Sequence, residues 1–202
     1  MFSILHLGLV GLGAFVLGIW VLGLLLRKTP TKENAEKLSR LAHLLFFAGL
    51  WAPGTVWIVS PGLTQLDGLA GLDPLPLRPY FFVLGLCLGL PGAFLLAVTN
   101  KLLRSLGRGA NAFCLTERIV AEKAYALCRN PMSLGYYLFC LGIAFACGST
   151  LLSLAVLLGL IPAHVFFLKY FEELELRLRF GEAYVRYSEQ RPFLLPRFAA
   201  KQ

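Results

Sequence analysis

The sequence predicts an all-α fold, a polytopic membrane helical bundle, and three observations carry that reading. The 202-residue chain is 57% hydrophobic and only 15% charged, with a mean hydropathy of +0.71, whereas soluble domains carry roughly 25% charged residues. The charges come in blocks, leaving neutral stretches of the ~20 residues that a spanning helix needs. Lysine and arginine, moreover, fall almost wholly on alternate loops. These features predict five transmembrane helices, at about 3–26, 41–60, 80–100, 131–148 and 151–168, in a single membrane domain covering residues 1–202.

The first span follows a segment without Lys or Arg and is longer than the roughly 7–15 apolar residues of a signal peptide. Arg27-Lys28 comes after it, so it reads as an uncleaved helix with its N-terminus outside. Its glycines, Gly8, Gly11, Gly13, Gly18 and Gly23, permit close helix approach in lipid. Thr29 to Arg40 is a charged linker able to run as helix into span 2. Pro53 and Pro91 are expected to bend spans 2 and 3, with neighbouring groups satisfying the freed carbonyls. The 61–79 loop (Pro61, Gly62, Gly68, Gly71, Pro74, Pro76, Pro79) is turn-rich and external.

The 27–40 loop holds five Lys or Arg, the 61–79 loop one (Arg78), the 101–130 segment six and the tail from Lys169 seven. Eighteen of nineteen thus share one side, which the positive-inside bias places in the cytoplasm together with the C-terminus. Residues 1–106 form a scaffold of spans 1–3; residues 107–202 form a cofactor-binding segment of spans 4–5 and a cytosolic C-terminal helix. A bacterial inner membrane is the preferred location, since no organelle address is visible. The sequence does not speak to oligomeric state.

The net charge of +8 is accounted for by topology and by affinity for anionic headgroups. No basic–aromatic module accompanies it, so no nucleic-acid partner is expected. The cysteines, Cys87, Cys114, Cys128, Cys140 and Cys147, form no C-x-x-C pair and three lie inside predicted spans. They imply neither a disulfide framework nor a metal site.

Between Arg129 and Lys169 lie 39 residues without formal charge. That length fits two spans joined by a tight Gly148-Ser149-Thr150 turn, which returns Lys169–Glu173 to the side of Arg129-Asn130-Pro131. Asn130-Pro131 is a helix start, with Asn at the N-cap and Pro at the first helical position. The free amides around Met132 to Leu134 then form a partly positive end able to hold a carboxylate. Glu172 and Glu173 suit an ammonium, a ribose diol or a sulfonium; alternatively they pair with Arg177 or Arg179 on a solvated face. Tyr125, Tyr184 and Tyr187 supply an aromatic wall for a purine or a cation, or belong to an interfacial aromatic belt. His164 lies within span 5, where an ionisable group marks a substrate path by default; a neutral histidine bonded to another helix is the bland alternative. Together these groups suit a zwitterionic, aromatic, water-soluble cofactor facing a bilayer-borne substrate.

One block holds Ile119-Val120, Tyr125, Arg129-Asn130-Pro131 and Gly135. The other holds Glu172-Glu173, Leu176, Phe180-Gly181, Tyr184 and Tyr187. Over roughly residues 107–197 the chain resembles the isoprenylcysteine carboxyl methyltransferase and phospholipid methyltransferase superfamily of integral membrane enzymes. That family's pattern is Leu-Val-x-x-Gly-x-Tyr-x-x-x-Arg-His-Pro-x-Tyr-x-Gly, a helical hairpin, then Glu-Glu-x-x-Leu-x-x-x-Phe-Gly-x-x-Tyr-x-x-Tyr.

The resemblance implies S-adenosylmethionine as methyl donor, held by Glu117, Arg118, Ile119, Val120, Tyr125, Asn130, Pro131, Met132, Ser133 and Glu172. Glu172, Glu173 and Arg129 are the candidate catalytic residues, with His164 and Lys169 on the substrate side. Asn130 stands for the family's histidine, Ser133 for a tyrosine and Lys123-Ala124 for a glycine-led turn. Leu168 occupies the place where prenylcysteine methyltransferases carry an arginine for the substrate carboxylate; Lys169 and Arg129 are the nearest cations, and an ammonium does not reproduce a bidentate clamp. The expected activity is methyl transfer to a lipophilic or lipid acceptor, with carboxylate, amine and thiol acceptors all open. The alternatives are an NADPH-dependent membrane reductase of the steroid 5α-reductase type and a non-catalytic membrane protein of the same fold.

Overall fold

Each hydropathy block becomes helix, and no strand occurs among the described residues. The structure is a computed structural model and describes residues 4–59, 66–107 and 115–196; Pro61, Gly62 and Cys114 lie outside them. Helix α1 covers Ile4–Lys28. Helix α2 runs over residues 32–59, α-helical at Lys32–Phe46, widened to a π turn at Phe47–Trp51 and α-helical again at Ala52–Val59. Short α3 (Leu66–Leu69) precedes the long α4 (Arg78–Ser105). Then come α5 (Ala124–Leu127), α6 (Pro131–Ala146), α7 (Thr150–Phe180) and α8 (Glu182–Gln190). Helix α7 carries two π turns, Ala155–Leu160 and Leu168–Glu172.

Residues Leu5–Lys28 of α1, and all of α4 and α7, are long and apolar enough to cross a membrane, and α6 is a shorter apolar helix. The second expected span falls on the later half of α2. Its charged linker is helical from Lys32, because Thr31 Oγ1 accepts from Asn34 N at 3.2 Å and starts the helix early. Pro53 sits just after the π turn, in which Ala52 N reaches back to Phe47 O. The wider turn re-routes hydrogen bonds where proline offers no N–H.

Two packing seams hold the bundle. Along α4 and α6, Gly85, Gly89 and Gly92 face Gly142, Gly135 and Ala146. A Cβ on Gly92 would lie 2.5 Å from the backbone N of Phe139, so the two helices touch backbone to backbone. Helices without a hydrophobic drive between them gain from such close contact. Elsewhere α1, α2 and α7 share a core of Phe15, Ile19, Leu26, Ala42, Leu50, Phe167 and Phe171, with Gly11 crossing Gly49.

The ends of the α6–α7 hairpin define two poles. At the turn pole Gly148 takes φ +65° and Ser149 Oγ accepts from Leu152 N at 3.1 Å. Asp67 of α3 fastens this turn, accepting from Ser149 Oγ at 3.0 Å, Thr150 N at 3.1 Å and Leu151 N at 2.7 Å. At the opposite pole Arg129, just before α6, meets Glu173 of α7 at 2.8 Å.

Candidate functional site

A cavity of about 580 Å³ lies between α2, α4, α6, α7 and α8, with Leu115, Thr116, Arg118, Ile119, Val120 and Tyr125 of α5 completing its wall. Its lining changes character along the bundle. Near the α6 start and α7 end stand Arg118, Tyr125, Arg129, Glu172, Glu175, Arg179 and Tyr184. One to three turns further in, the wall is Phe46, Phe47, Trp51, Tyr136, Phe139, His164 and Phe167.

A tight turn delivers Tyr125 to this wall. Lys123 takes φ 53°, ψ −118°, and Tyr125 N donates to Glu122 O at 3.0 Å, the signature of a type II′ turn. Tyr125 is buried, and burial first, then the nearby Glu172 charge, raises its phenol above the ordinary tyrosine range, so it remains a neutral donor. Gly181, at φ +56°, breaks α7 from α8 and folds the tyrosines back. Tyr187 Oη then donates to the Tyr125 carbonyl at 2.9 Å, and buried Tyr184 lies 6.2 Å from the Tyr187 ring. Burial raises both phenols as well.

Asn130 occupies the N-cap position before Pro131, but its side chain does not cap. Its backbone, at φ −121° and ψ 54°, is not the extended form that aims a cap side chain at the helix. Nδ2 instead donates to Phe193 O at 3.0 Å, and Arg129 N donates to Pro192 O at 2.9 Å. Residues 191–196 thus strap the junction, with the Phe193 ring 5.6 Å from the Arg129 guanidinium and 4.9 Å from Lys169 Nζ. The first amides of α6, at Met132 and Ser133, are left without a capping side chain on the cavity wall.

The acidic residues divide sharply. Glu172 lines the cavity and takes no hydrogen bond among the described residues. Glu173 is engaged by Arg129 rather than by Arg177. Glu175, which the sequence did not single out, is 2% exposed and binds Arg179 Nη1 at 2.6 Å. Glu117, an expected cofactor contact, lines a separate polar cavity of about 260 Å³ with Lys32, Glu36 and Arg40.

Of the residues singled out by sequence, Arg118, Ile119, Val120, Tyr125, Arg129, Asn130, Met132, Ser133, His164 and Glu172 share the large cavity; Glu117, Pro131, Glu173 and Lys169 do not line it. His164 unites both readings offered for it. Its Nδ1 lies 2.8 Å from Tyr137 Oη on α6, and its ring faces the cavity among Phe46 and Phe167. Sequence reasoning missed Ser39, His43, Asn100, Glu175 and Arg179 on the same wall. The Glu175–Arg179 spacing of one turn was the only visible signal. Asn100 Oδ1 is buried without a partner among the described residues, and nothing in its local sequence announces that. Leu168 supplies apolar wall where an arginine clamp would stand.

A family model described as Phospholipid methyltransferase matches residues 80–183, half of the chain, including both halves of the hairpin and the Glu172-Glu173 pair. No curated protein and no solved structure matches the chain.

Proposed function

Because the chain belongs to the phospholipid methyltransferase family, whose members use S-adenosylmethionine, we propose that the large cavity is its methyl-donor site and that it methylates a lipid acceptor at the cytosolic membrane face. The chain is an integral multi-pass membrane protein and a methyltransferase. That membership decides against the reductase alternative. Five spans, an external N-terminus and a bacterial inner membrane belong to the same proposal and rest on the charge bias of the loops.

The residues present fit the cofactor. Glu172 is a carboxylate that no described donor satisfies, two amides of the α6 start have no capping side chain, and Tyr125 and Tyr184 line the same cavity. A volume of about 580 Å³ is of the size that small-molecule sites take. Glu172 would take the ammonium or ribose hydroxyls, the Met132 and Ser133 amides the carboxylate, and Tyr125 the adenine or the sulfonium. When bound, S-adenosylmethionine supplies a methyl group already activated on sulfur.

The work left to the chain is alignment and exclusion of water. The aromatic inner wall of Phe46, Phe47, Trp51 and Phe139 keeps the acceptor end dry. Leu168 offers no charge to a carboxylate acceptor, and Arg129 is already engaged by Glu173. This favours an acceptor that needs no carboxylate clamp. An amine acceptor must lose a proton, and Glu172 is the carboxylate on the wall able to hold it.

The single observation carrying the reading is the unsatisfied Glu172 opposite the α6 start. Glu172→Ala should abolish S-adenosylhomocysteine binding by calorimetry without lowering the temperature of thermal unfolding. Binding that survives this substitution removes the site assignment.

A further inference from the structure

Arg179 is the most confined cation near the cavity, its side chain only 6% exposed. Nη1 meets Glu175 Oε1 at 2.6 Å, one turn back on α7. Nη2 donates to the Thr116 carbonyl. Nε stands 4.0 Å from Glu36 Oε1 of α2, and the guanidinium lies 4.8 Å from the Phe180 ring centroid. Arg179 lines both the large and the small cavity, so it forms part of the partition between them.

Thr116 belongs to the stretch that carries Arg118, Ile119 and Val120 along the large cavity. This stretch has neither helix nor strand, so groups outside it must hold it. Among its described ties, Glu117 N donates to Gly107 O at 2.8 Å, Val120 packs on Leu102 and Tyr125, and Arg179 grips Thr116. A guanidinium suits that task because its planar fork bonds two partners at once and never loses its charge. Glu175 balances that charge in a place where an unpaired one would be costly.

We propose that Arg179 is a positioning residue for donor binding: its fork, anchored on Glu175, holds the Thr116 backbone and so keeps residues 116–120 as a wall of the cavity. The proposal rests on the reading of that cavity as the S-adenosylmethionine site. A helix-stabilising pair alone would explain Glu175, one turn away, but not the bond to Thr116.

The test uses the full chain purified in detergent, with Arg179→Lys, Arg179→Gln and Glu175→Gln, and follows S-adenosylhomocysteine affinity together with amide exchange of the unliganded protein. An ammonium cannot serve Glu175 and Thr116 in one fixed geometry, so Arg179→Lys should weaken binding about tenfold, the loss of roughly one hydrogen bond. Exchange at residues 116–120 should quicken, while α4 and α6 stay protected. With vesicles of mixed phospholipids as the acceptor, the donor KM should rise with kcat held within about twofold, the pattern of lost uniform binding. Should Arg179→Gln fail to fold, the lysine and Glu175→Gln variants carry the measurement. Folded Arg179→Lys protein with native affinity and unchanged exchange overturns the role of Arg179 alone. Wild-type protein that binds no S-adenosylhomocysteine overturns the reading of the cavity, and the proposal with it.

Discussion

Asp67 and Glu172 are carboxylates set against opposite ends of the same 31-residue helix, α7. Asp67, 2% exposed, accepts from Ser149 Oγ and from the first amides of α7 at Thr150 and Leu151. It satisfies donors that a helix start leaves open, and it sits at the positive end of the helix dipole. Glu172, one turn beyond the end of the apolar stretch of α7, has no described donor and stands beside Glu173 and Glu175. A carboxylate whose lone pairs are occupied is a fastener. One held short of donors, among like charges and on a cavity wall, is held against the local electrostatics, and a ligand relieves that. On the proposed reading of the cavity, the supply of donors, not the residue type, separates the fastener from the ligand-binding carboxylate.

The comparison breaks most visibly at the turn pole. Asp67→Ala removes three hydrogen bonds to a charged acceptor and leaves the Thr150 and Leu151 amides of the α7 start without it, the Ser149 cap remaining, which should cost about 3 kcal/mol. Thermal unfolding in detergent should register the loss. Affinity for S-adenosylhomocysteine should stay within about twofold, because about 20 Å of α7, from Thr150 to His164, separates the substitution from the first α7 residue on the cavity wall. Affinity falling in step with stability would mean that the two poles act as one unit.

The opposite substitution should have the opposite effect. Glu172→Gln keeps the side-chain shape and deletes a charge that no described donor satisfies, so the unliganded protein should gain about 1 kcal/mol. Binding should nevertheless fall by at least about tenfold. A loss of stability would make Glu172 a fastener like Asp67, and the contrast between the poles would collapse.

The sequence made the hairpin legible because its signals are local. Thirty-nine uncharged residues around Gly148-Ser149-Thr150 permit little except two helices and a turn, and the Arg129–Glu173 ion pair follows from that return. The family pattern was legible for the same reason, being two short blocks at fixed spacing. What stayed hidden depends on partners far away in the chain. Asn130 reads as a cap, but its side chain is taken by Phe193, 63 residues later. Asp67 sits in a loop that looked merely turn-rich, and its donors come more than 80 residues on. Glu175 and Arg179 read as solvated charges until α2 and the Thr116 stretch cover them. Adjacent Glu172 and Glu173 were separated only by the resemblance, which assigned the donor contact to Glu172; local spacing does not show the π turn at Leu168–Glu172, which sets the phase of both.

The smallest effect expected lies in the turn that brings Tyr125 to the site. At the turn pole, the chain reverses on a glycine, Gly148, at φ +65°. At the site pole, Lys123 holds φ 53°, ψ −118°, the first central position of a type II′ turn, where a side chain is strained. The strain costs about 1–3 kcal/mol. Lys123→Gly removes it but adds about 1 kcal/mol of unfolded-chain freedom. The net gain should therefore be about 0.5–1 kcal/mol, seen as a modest rise in Tm in detergent. Glycine is also the residue that the family pattern carries two places before its tyrosine. Because the Tyr125 N to Glu122 O bond is common to both forms, S-adenosylhomocysteine affinity should not change. A variant that unfolds more easily would show that the Lys123 side chain contributes more than its backbone strain removes, and would place a second fastener at the pole where Glu172 has none.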